Sequence, residues 1–61
     1  MDKFTLEYTQ AMVRELYNAT MDTLNTLLPS ERDLRAAIIA ERRAYGVVLD
    51  NIRALLLEVN S

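Results

Sequence analysis

From residue 34 to residue 59 the chain repeats one spacing without a break. Leu34, Ile38, Glu41, Tyr45, Val48, Ile52, Leu55 and Val59 follow one another at 4-3-4-3-4-3-4. That is a heptad seam, the pattern of a helix laid lengthwise on another helix, and Glu41 alone interrupts its apolar character. Ala37, Ala44, Leu49 and Leu56 widen the stripe. A looser run occupies the first half of the chain: Leu6, Gln10, Val13, Tyr17, Thr20, Leu24 and Leu27, again spaced 4-3. Tyr8, Met12, Leu16 and Ala19 broaden it, and Thr5, Thr9, Thr23 and Thr26 lie within or beside it. On a helical wheel this arc spans about 200°, twice what a single partner helix needs. One flank of it must therefore face something other than the second run.

Leu28-Pro29-Ser30 separates the two runs. Proline pushes the residue before it out of helical geometry, so a helix should end near Leu27 or Leu28. Ser30 is a good N-cap, and Asp33 resembles the acidic half of a capping box. Glu31 and Arg35 form an i, i+4 pair in the favourable order. The expectation is one all-α domain over residues 1–61. It is an antiparallel two-helix hairpin with helix 1 over about residues 3–28, a loop over about 28–31 and helix 2 over about 31–59.

Length sets the next constraint. A compact chain of 61 residues gains about 90 kcal/mol from apolar burial and loses about 90 kcal/mol in ordering, so a lone monomer is marginal. Small domains escape this limit with disulfides, metals or oligomerisation. Cysteine and histidine are both absent. That removes disulfides, zinc fingers, thiol catalysis and histidine acid–base chemistry. Dimerisation into a four-helix bundle, or a helical protein partner, is the route left open. No cofactor or metal is expected. The net charge of −2 gives no general pull towards nucleic acid. No stretch reaches the ~18 apolar residues of a membrane span. Met1 to Glu7 lack the pattern of a signal peptide, so the expected location is the cytoplasm.

Glu41 is the most informative single residue. At a central seam position its carboxylate would be costly if buried and unpaired. Folding about Pro29 sets it opposite Tyr17 and Thr20, whose hydroxyls are possible donors. It reads either as a site or as a buried polar contact that sets register. No second carboxylate or metal ligand shares its face, which favours the register reading.

Phe4, Tyr8, Met12 and Leu16 on helix 1, and Ile39 and Leu57 on helix 2, are the candidate partner or dimer contacts. Gly46 joins them. Mid-helix glycine costs about 1 kcal/mol relative to alanine, and close approach of another helix would account for it, as would simple tolerance. Arg35, Arg42, Arg43 and Arg53 form a possible anion or nucleic-acid stripe. Helix 2 carries matching acids, so a solvated flank is the simpler account. The sequence favours a non-enzymatic interaction module. A nucleic-acid-binding hairpin dimer is the alternative, and an enzyme is least expected.

Overall fold

The computed structural model describes residues 2–60. Met1 and Ser61, the ends of the expected domain, lie outside the described residues. The chain forms two helices, α1 (Lys3–Thr26) and α2 (Arg32–Asn60), and no strand occurs among the described residues. The helices pack antiparallel into a rod of 48 × 14 × 13 Å. Their direction is visible in the cross-contacts. Arg35 reaches Leu24, and Arg42, one heptad on, reaches Tyr17, one heptad back.

Asp2 starts α1. Its backbone is extended (φ −81°, ψ 161°), and its Oδ1 accepts the Thr5 N–H at 2.7 Å. That satisfies one of the donors a helix leaves open at its first turn. Hydrogen bonding from Thr5 holds the Asp2 carboxyl below its usual range, and the partial positive charge at a helix N-terminus favours the same ionised form. At the other end α1 stops at Thr26, short of the expected residue 28. Leu27 has already turned to extended geometry (φ −78°, ψ 142°), ahead of the position that Pro29 restricts.

The turn differs from the expected capping box. Glu31, rather than Ser30, closes it: its Oε1 accepts the Leu28 N–H at 2.9 Å, and its own N–H donates to the Leu28 carbonyl at 3.0 Å. The expected Glu31–Arg35 ion pair is replaced as well. Arg35 turns inward and donates from Nη1 to the Leu24 carbonyl at 3.3 Å. A cation near the last carbonyls of a helix is well placed against its dipole.

The face of α1 towards α2 is Leu6, Gln10, Val13, Tyr17, Thr20, Leu24 and Leu27, all buried or half-buried. On α2 the inward residues are Arg35, Ile38, Arg42, Tyr45, Leu49, Ile52 and Leu56. This corrects the expected seam of helix 2. Ile38, Tyr45 and Ile52 are shared, but Leu34, Glu41, Val48, Leu55 and Val59 are exposed. The reason is chemical. The groups that α1 offers to this seam include the Tyr17 and Leu24 carbonyls, which are acceptors. An arginine can donate to them while its stem covers apolar surface. A carboxylate in the same place could accept nothing from those carbonyls.

Candidate functional site

Polar residues sit at the centre of the hairpin: Tyr17 and Thr20 are among them, but Glu41 is not. Glu41 is exposed, so it is not the buried polar contact of the seam. Arg42 takes that role. Its Nη1 donates to the Tyr17 carbonyl at 3.3 Å and approaches Thr20 Oγ1 at 3.4 Å. Its guanidinium lies 4.0 Å from the centroid of the Tyr17 ring, a cation–π contact. Thr20, only 3% exposed, donates its hydroxyl to the same Tyr17 carbonyl at 2.6 Å. Tyr17 and Thr20 are thus brought together, around Arg42. The sequence carried a signal for this arrangement: Arg35, Arg42, Leu49 and Leu56 repeat every seven residues.

The arginine stripe divides accordingly. The guanidiniums of Arg35 and Arg42 bind α1 carbonyls across the seam. Arg43 and Arg53 are exposed. Gly46 is half-buried, and a Cβ built there would lie 3.9 Å from the Tyr17 ring. Within the hairpin the neighbour of this glycine is therefore the Tyr17 ring, and α2 runs through Gly46 unbroken.

Little apolar surface is out of water. Leu6 and Ile52 are the buried large hydrophobic residues, at 2% and 6% exposure. Phe4, Tyr8, Met12, Leu16, Ile39 and Leu57 all stand exposed. They do not form one patch. Their distribution becomes clear when each seam is stepped back by one residue. On α1 this gives Thr5, Thr9, Met12, Leu16, Ala19, Thr23 and Thr26; on α2 it gives Leu34, Ala37, Glu41, Ala44, Val48, Asn51 and Leu55. One residue is a turn of about 100°. Because the helices run in opposite directions, the two turns are of opposite sense and bring both stripes to the same side of the hairpin.

Within the packed seam Glu41 is the lone charge on that side. Glu58 follows on α2 beyond Leu56, the last half-buried residue of the seam. The threonines add little polarity. Thr9, Thr23 and Thr26 donate their hydroxyls to the carbonyls of Thr5, Ala19 and Thr23 at 2.8, 3.1 and 2.8 Å, so these hydroxyl donors are used within α1. The opposite side is different. Stepping forward by one residue gives Glu7, Ala11, Arg14, Asn18, Met21, Asn25 and Leu28 on α1, and Ala36, Ile39, Arg43, Gly46, Asp50, Arg53 and Leu57 on α2. Of the expected contact residues, Met12 and Leu16 lie on the uncharged side. Ile39, Gly46 and Leu57 lie on the charged side, as does Phe4, and Tyr8 lies further round α1.

Among the described residues no three potential acidic metal ligands come together, no enclosed cleft is present, and no helix is long and apolar enough to cross a membrane. No family model, curated protein or solved structure matches this chain.

Proposed function

We propose that this chain is a small non-enzymatic interaction module that works by helix packing, with a second copy of itself or with a helical protein partner. A regulator, adaptor, co-chaperone or inhibitor can all act through such a surface. The observation that carries the reading is the largely uncharged side of the hairpin, exposed along both helices and interrupted by Glu41. A monomer this small has little apolar burial to offset chain entropy, and an apolar face left in water forfeits more of it.

The alternative, a nucleic-acid-binding hairpin using Arg35, Arg42, Arg43 and Arg53, has less support. Two of the four guanidiniums are engaged with α1 carbonyls. Retention on heparin with a steep salt dependence would favour it.

The interaction reading is tested on the dilute chain. Far-ultraviolet circular dichroism should show a broad, low-temperature melt, and a hydrophobic dye should bind. A monomer with a sharp, high melting transition and no dye binding has no surface in need of a partner, and would overturn the reading.

A further inference from the structure

Building on the interaction reading, we infer that the uncharged side of the hairpin is covered by a second copy of this chain, giving a four-helix bundle with Thr9, Met12, Leu16, Ala44, Val48 and Leu55 in its middle layer. Three observations select this occupant over a foreign helix.

The first is angular. On each helix the uncharged stripe is the hairpin seam displaced by one residue, hence by about 100°. A helix in a square bundle of four meets its two neighbours about 90° apart, whereas a helix in a three-membered bundle meets them about 60° apart. A single helix lying in the groove between α1 and α2 would need the narrower angle. A second hairpin needs the wider one, which a one-residue step from each seam provides on both helices at once, and of the two sides so placed the one stepped back carries the fewer charges.

The second is area. A compact monomer of 7.0 kDa exposes about 4,000 Å² by the scaling of surface with mass. The hairpin exposes 4790 Å². The surplus, roughly 750 Å², is close to the ~800 Å² that each partner contributes to a standard interface.

The third is charge. A two-fold interface sets the same patch against itself, so like charges on it are penalised. The proposed side carries Glu41, displaced from the middle of α2 towards the turn, and Glu58 past the end of the packed seam. The opposite side carries Glu7, Arg14, Arg43, Asp50 and Arg53, which a bundle leaves in water.

Sedimentation equilibrium of the full chain, from micromolar to near-millimolar concentration, tests the inference with two lysine variants. The unmodified chain should approach twice 7.0 kDa. Leu16→Lys should raise the dissociation constant by about tenfold or more, because it sets an unpaired charge against a dry face. Leu57→Lys, on the charged side, should leave the constant unchanged. A second readout stands if Leu16→Lys also lowers helicity. The chain has no cysteine, so Met12→Cys and Leu57→Cys each carry a single thiol. Alkylation of Met12→Cys should slow at high concentration, while that of Leu57→Cys should not change.

A chain that stays at 7.0 kDa throughout yet binds dye when dilute would overturn the second copy as occupant and leave the interaction reading standing. A dimer dissociated by Leu57→Lys and not by Leu16→Lys would overturn the choice of side.

Discussion

Arg42 shows how one side chain can set a register. Its guanidinium bonds the Tyr17 carbonyl, sits over the Tyr17 ring and lies beside Thr20, while its stem covers the seam. Arg42→Ala should destabilise the hairpin by about 1–2 kcal/mol, from lost hydrogen bonds, the cation–π contact and stem packing. That corresponds to a fall in Tm of roughly 5–15 °C for a domain of this size, measured by circular dichroism at fixed concentration. Glu41→Ala, on the exposed neighbouring position, should not produce this loss. Gly46 should respond in the other direction. A methyl group there meets the Tyr17 ring at an ordinary contact distance of 3.9 Å, so Gly46→Ala should raise stability by about 1 kcal/mol through reduced chain entropy. A lower Tm would mean that the Tyr17 ring must move.

At the scale of the helix, the ends are held by acids whose bonds are local. Asp2 caps α1, and Glu31 closes the turn into α2. The lowered pKa of Asp2, caused first by its bond from the Thr5 N–H, fixes the sign of a pH effect. The cap is fully ionised above the ordinary aspartate range. Its stabilisation is lost as the pH falls below that range and through the lowered value. Amide exchange at Thr5, corrected for intrinsic rates, should therefore become less protected between about pH 5 and about pH 2. Asp2→Asn should remove that change. Neither cap was read from the sequence. The turn carries several polar residues within a few positions, and which of them reaches an open backbone donor depends on where the helix stops. Pro29 gave the approximate place and Leu27 the actual one.

For the whole molecule, the balance between burial and exposure matters most. Glu41 is the charge that interrupts the side that we propose as the dimer face. Glu41→Leu should then raise Tm at high chain concentration, where the face is covered, and leave it nearly unchanged at high dilution, where it is not. An equal rise at both concentrations would place the gain inside the hairpin and count against the proposed face.

The heptads, the sparse breakers and Pro29 were enough to specify two antiparallel helices and the inward face of α1, since apolar periodicity and proline sterics act locally. They did not decide the inward face of α2. There two overlapping 4-3 stripes share Ile38, Tyr45 and Ile52 and differ by one residue at every other layer. The more apolar stripe contained Glu41, and the one that turned inward contains Arg35 and Arg42. Hydrophobicity along the chain ranks the first above the second. Only the opposing helix, with the Tyr17 and Leu24 carbonyls as acceptors at the right heights, reverses that order, because a buried polar group is tolerated when the other side supplies its complement. The wide arc of helix 1 had already implied a surface beyond the hairpin. Its location, and the largely apolar row on α2 that lines up beside it, followed once tertiary packing had chosen which stripe to bury.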